Sequence, residues 1–238
     1  MTSRQTGRTA IPTRPGVRDL RGDFPRDHDA IPGHESMSGT GADPASRSRA
    51  CTSGLHRGNG LDSSVPHPAR VYAYWLGGKD FYPADRRAAE EVIQRRPQVV
   101  AGARANRHFL ARVVRFLATD CGIRQFLDIG TGLPAPDNTH DVAQDVCPQC
   151  RVVYVDNDPL VMAHGRALLT SGAEGVCGYV EADLPDTGTI LTQAAETLDF
   201  ARPVGVLMLA VLHLVPDRDD PAMIVKTLAS GLAPGSYL

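Results

Sequence analysis

The stretch Gln125-Phe126-Leu127-Asp128-Ile129-Gly130-Thr131-Gly132-Leu133-Pro134 decides the fold. Phe126, Leu127 and Ile129 form a short apolar run that stops at two glycines one residue apart, the pattern of a buried strand bounded by a turn. Glycine stands where backbone must turn tightly or come close to a ligand. Asp137 and Asn138 are good helix starters before the next periodic segment. The stretch therefore predicts strand, glycine-rich loop and helix, the opening unit of a doubly wound nucleotide-binding α/β sheet.

Gly130, Gly132 and Ala135 also satisfy the loose G-x-G-x-x-[GA] dinucleotide pattern. Two features oppose a dinucleotide. Pro134 and Pro136 crowd the loop, so no helix N-terminus follows the glycines directly to hold a pyrophosphate. Asp128, two residues before Gly130, places an anion at the strand end, which repels phosphate and suits a cationic ligand. S-adenosyl-L-methionine (SAM) carries an ammonium and a sulfonium and has no phosphate. The rivals are NAD, as in a nicotinamide-dependent oxidoreductase, and a glycine turn without a ligand.

Downstream, Val142, Ala143 and Val146 mark a helix, and the stretch 151–159 reads as a second strand ending in an acid. In a doubly wound sheet an acid at this strand end reaches ribose hydroxyls, and Asp156 is the best placed. Asp158 before Pro159 has the pattern of a helix N-cap. Val176–Val180 is a third strand, and Asp183 beyond it is placed to accept from an adenine amino group, or is a plain loop acid. Residues 203–209 read as a fourth strand buried on both faces. His213 is a candidate proton acceptor or a structural histidine. Asp219–Leu232 reads as a helix, and Ser236-Tyr237-Leu238 as the start of a fifth strand.

Upstream, Ala69–Leu76 predicts a short helix that Gly77-Gly78 stops, either as a plain C-cap or as a close approach to a ligand. Pro83 opens a second helix and Arg96-Pro97 ends it. A third spans 98–119, with Val99, Ala103, Leu110, Val113 and Leu117 near one stripe. Arg104, Asn106 and Arg107 lie among them, placed either to meet a cofactor carboxylate or to solvate the helix.

The 238 residues allow one large domain, or a domain with a tail, and 42% are hydrophobic, ordinary for a globular protein. Residues 1–60 hold nine arginines and six acids but few large apolar side chains. Such a segment cannot bury enough surface to offset its ordering entropy and reads as a disordered tail. The formal net charge of −2 gives no electrostatic case for nucleic acid. No segment is apolar for long enough to span a membrane. Five cysteines without a secretory signal favour reduced thiols and a cytoplasmic location. Cys147-Pro-Gln-Cys150 lacks the partners of a zinc or redox site, so no metal is expected.

Six stretches together resemble one bacterial family: 66–80, 105–109, 126–133, 152–159, 181–184 and 211–217, in this order. It is the actinomycete-type SAM-dependent methyltransferase family long catalogued as a domain of unknown function. Leu76-Gly77-Gly78-Lys79-Asp80 followed by Phe126–Pro134 is the specific part. The resemblance covers residues 60–238 and implies a class I methyltransferase fold. It also implies SAM contacts at Gly130, Gly132, Asp156, Asn157, Asp183 and Leu184. Ala73, where the family usually has an acid, and Phe81-Tyr82-Pro83, in place of a more polar run, are departures.

The expected organisation is a tail at 1–60, a helical lid at 61–120 and a SAM-binding α/β domain at 121–238. The candidate cofactor set is Asp128, Gly130, Thr131, Gly132, Asp156, Asn157, Asp183, Leu184 and Ala210, with His213 as catalytic candidate. The expected reaction is methyl transfer to a small molecule; the alternative is a non-catalytic or remnant SAM-binding module. Family members continue through further strands, so the sheet is expected to be truncated at strand five, with weak SAM binding and poor solubility.

Overall fold

The computed structural model describes residues 62–238. The expectation of a disordered tail at 1–60 lies outside the described residues.

Three helices come first: α1 (Pro68–Trp75), α2 (Pro83–Arg95) and α3 (Val99–Thr119). Then β1 (Gln125–Ile129), α4 (Thr139–Val146), β2 (Arg151–Asp156), α5 (Pro159–Leu168), β3 (Val176–Glu181), α6 (Thr187–Ala194), β4 (Gly205–Leu207) and α7 (Pro221–Ser230) alternate. Two short 3-10 turns, Leu212–Leu214 and Asp217–Asp219, separate β4 from α7. The strands pair in parallel in the order β3-β2-β1-β4, with Leu127 opposite Val153 and Val206. The direction of winding reverses between β1 and β4, and ligands of such sheets bind beyond the carboxyl ends at that point.

Strand alternation distributes the core. Phe126, Val152 and Tyr154 face α3 and α4 through Leu110, Val114, Leu117, Val142 and Ala143. Leu127, Ile129, Val153 and Val155 face α6 and α7 through Ile190, Ala194, Ile224 and Leu228. Every residue of β1 is buried, as a parallel strand covered on both faces requires. Burying a side chain the size of Phe126 contributes about 1.5–3 kcal/mol.

The fourth strand is shorter than the sequence suggests, three residues instead of seven, and beyond its carboxyl end the chain turns sharply at Ala210, whose φ is +57°. Tyr237 bridges Gly205 in parallel on the outer edge of β4. Val206 N–H donates to Tyr237 O (2.8 Å) and Tyr237 N–H to Val204 O (3.0 Å). This is where the sequence places the start of a fifth strand.

Helix α1 ends in a Schellman motif. Gly77, at φ +85°, donates to Tyr74 O (3.0 Å) and Gly78 to Ala73 O (2.9 Å). The paired glycines thus act as a helix stop. Among the described residues no helix is long and apolar enough to cross a membrane.

Candidate functional site

The glycine loop leaves β1 and folds back over β2. Gly130 N–H donates to Val155 O (2.8 Å) and Thr131 N–H to the same carbonyl (3.2 Å). Gly130 and Gly132 have φ of +73° and +68°, a left-handed backbone that L side chains rarely adopt. A Cβ on Gly130 would stand 2.5 Å from Val211 Cγ2, whereas one on Gly132 would meet nothing within 4 Å. One side of the loop is therefore packed against the segment after β4, and the other is open. Helix α4 starts only at Thr139, so the prolines do separate the glycines from a helix N-terminus.

Asp156 holds the loop down. Its carboxylate accepts from Gly132 N–H (2.9 Å) and Asp158 N–H (3.0 Å). Burial raises its pKa, and the two backbone donors oppose that rise. Asn157 is exposed and donates through Nδ2 to Asp183 Oδ1 (2.5 Å), so the ends of β2 and β3 carry a joined amide and carboxylate. Leu184 is buried beside Ile190 in the core, which leaves its backbone for any ligand contact. Ala210 is exposed at its turn, and His213, also exposed, lies two residues after Val211.

Asp128 differs in setting from its neighbours. It is 4% exposed and accepts from Thr139 Oγ1 (2.6 Å) at the first residue of α4. Burial raises its pKa; Thr139 and the charge of Arg107 oppose the rise. Its immediate work is to seat α4, and the expected attraction for a cationic ligand is weakened accordingly.

The amino-terminal helices are fastened to this edge by two arginines, Arg70 and Arg107. Arg70 Nε lies 3.0 Å from Asp85 on α2, and its Nη1 lies 3.3 Å from Asp158 Oδ2. His67 Nδ1 faces the same Asp158 oxygen at 3.1 Å. That nitrogen also stands 3.3 Å from Ala69 N–H; a proton on Nδ1 favours the carboxylate contact. Asp158 simultaneously caps α5 by accepting from Leu160 N–H (2.9 Å). Burial would raise the Asp158 carboxyl, but the hydrogen bond and charge of His67, with Arg70, hold it below its ordinary value. Below α1, Ala69 and Ala73 pack on Leu133 of the loop and on Val161 and Met162 of α5. From α3, Arg107 donates to Pro136 O (3.2 Å) and Asn138 Oδ1 (2.9 Å).

The structure thus gathers Gly130, Thr131, Gly132, Asp156, Asn157 and Asp183 at one edge. Arg70 and Asp85 were not singled out in the sequence; their partners lie too far along the chain to be read from spacing. Cys147 and Cys150 are free thiols, and burial pushes Cys150 up to about 11, away from nucleophilic use.

Residues 55–238 match the model of a family described as S-adenosyl methyltransferase. Among solved structures, a DUF574-family protein of Streptomyces avermitilis is 47% identical with a TM-score of 0.71 over 74% of this chain and 68% of its own. A candidate methyltransferase of Thermobifida fusca is 46% identical with a TM-score of 0.68, over 75% of this chain and 66% of its own. No curated protein matches. The family match covers the helices, the glycine loop and the sheet alike, and the chain belongs to the S-adenosyl methyltransferase family.

Proposed function

We propose that the chain binds S-adenosyl-L-methionine across the carboxyl ends of β1, β2 and β3 and transfers its methyl group to a small molecule. The observation that carries this reading is the Asp156–Gly132 hydrogen bond (2.9 Å), which fixes the open side of the glycine loop beside Asn157 and Asp183. The donor set fits a phosphate-free nucleoside: two carboxylates and an amide, with no lysine or arginine among them and no helix N-terminus directly after the glycines. Gly132 and Thr131 supply backbone at the loop, Asp156 orients it, and Asn157 with Asp183 meets the nucleoside end.

SAM supplies an electrophilic methyl on sulfonium. The chain's residues need to hold the two reactants in line, and orientation can supply up to about 7–11 kcal/mol of the acceleration. A base is required only when the acceptor must lose a proton, and His213 is the residue proposed for that role. Calorimetric titration with S-adenosylhomocysteine and with NAD tests the assignment. Binding of the first alone is expected; binding of NAD alone overturns it. Incorporation of label from methyl-labelled SAM into a lysate of an actinomycete then identifies the acceptor.

A further inference from the structure

A concavity of about 450 Å³ lies in the helical segment, outside the nucleoside edge. It is bounded by the end of α1, the loop that follows, α2 and the start of α3. Its walls are aromatic and aliphatic: Tyr74, Trp75, Phe81 and Ile93. Tyr74 and Phe81 meet edge to face at 5.0 Å, and Trp75 is anchored by its Nε1 donating to Ala89 O (3.3 Å). These are rigid surfaces with small entropy cost on binding.

Two cations line the same space, Lys79 and Arg104. Both are exposed, and neither side chain has a hydrogen-bond or ion-pair partner among the described residues. No acid lines the concavity. The nearby carboxylates are turned to other partners. Glu90 accepts from Arg86 (2.8 Å) and the Tyr74 hydroxyl (3.1 Å), and Asp80 lies 3.8 Å from His164. Cations left unpaired over an apolar, acid-free wall suit a ligand that brings an anionic head on an apolar body.

We propose that this groove binds an amphipathic anion, with its apolar body between Tyr74, Trp75 and Phe81 and its carboxylate or phosphate head between Lys79 and Arg104. The site needs no SAM, so its test is independent of the cofactor assignment.

Trp75 is the single tryptophan of the chain, so its fluorescence reports the groove directly. The full chain is titrated with 4-phenylbutyrate, 4-phenylbutyl phosphate and the neutral 4-phenylbutyramide, with excitation confined to tryptophan. At least one acid is expected to bind tenfold or more tightly than the amide, and the better acid identifies the headgroup. Lys79→Gln and Arg104→Gln should each reduce that preference severalfold and leave the amide unchanged. Added salt should weaken the acids alone. Equal affinity for acid and amide, absence of a Trp75 response to millimolar acid, or an acid preference indifferent to both substitutions overturns the proposal.

Discussion

The guanidinium of Arg70 on α1 lies 3.3 Å from the carboxylate of Asp158 just past β2, while its Nε lies 3.0 Å from Asp85 on α2. One side chain therefore joins two amino-terminal helices to the edge where the candidate nucleoside site sits. All three residues are at most 3% exposed. Asp156, two residues before Asp158, holds the glycine loop. The position of α1 and the shape of the loop consequently depend on neighbouring acids of one segment.

Removing Arg70 leaves two buried carboxylates, Asp85 and Asp158, without their shared cation. Breaking a buried pair in this way costs about 3–5 kcal/mol. Arg70→Met should lower stability by that amount in urea unfolding, and should speed proteolytic cleavage within residues 62–82 before the sheet unfolds. A loss below about 1 kcal/mol would mean that the pair's desolvation cancels its attraction.

The Asp158 contact carries a defined pH dependence. Its folded-state pKa is depressed, so the stability it contributes is fully present above the unfolded value of about 3.9 and is lost as pH falls through the lower folded value. Asp128 and Asp156 have raised values and act in the opposite direction; the charge of Asp158 contributes to the rise at Asp156, so that part of the Asp156 effect is lost in Asp158→Asn. The stability gap between wild type and Asp158→Asn should therefore narrow as pH falls below about pH 4. A gap that does not change with pH shows that the Asp158 charge is not what the contact uses.

Local features were legible in the sequence and distant ones were not. The apolar run of β1, the glycine turn, the Asn138 start of α4 and the Asp158 cap of α5 each depend on residues within a few positions, and all appear in the structure. The early end of β4 escaped because apolar continuity through Leu209 conceals the turn at Ala210. Arg107 could be read as solvent-facing or functional; its bonds to Pro136 and Asn138 depend on how α3 crosses the loop. Arg70 carries no local signal of burial, since the acids that keep it buried are 15 and 88 positions away.

The exposed pair at the ends of β2 and β3 allows affinity to be separated from stability. Asn157 and Asp183 bond to each other outside the core, so Asp183→Ala should change unfolding free energy by less than about 0.5 kcal/mol. Loss of a carboxylate acceptor from a nucleoside should weaken S-adenosylhomocysteine at least tenfold, about 1.4 kcal/mol. Calorimetry and a thermal melt on the same sample read both quantities. Unchanged affinity would move the nucleoside away from this strand end.

The two loop glycines should respond differently to the same substitution. Alanine at either position adopts a left-handed backbone, at a cost of about 1–2 kcal/mol. At Gly130 the added methyl also meets Val211 Cγ2 at 2.5 Å, and overpacking of this kind adds about 1–3 kcal/mol. Gly130→Ala should thus be the less stable variant. Val211→Ala should recover only part of the loss, because it removes Cγ2 but leaves the Val211 Cβ at 2.7 Å. At Gly132 no chain atom lies within 4 Å of the added methyl, so the methyl has only a ligand to meet. Gly132→Ala should therefore lose more S-adenosylhomocysteine affinity than its small stability change explains. If Gly132→Ala binds the ligand normally while Gly130→Ala does not, the ligand approaches the loop from the Val211 side, and that side chain must move to admit it.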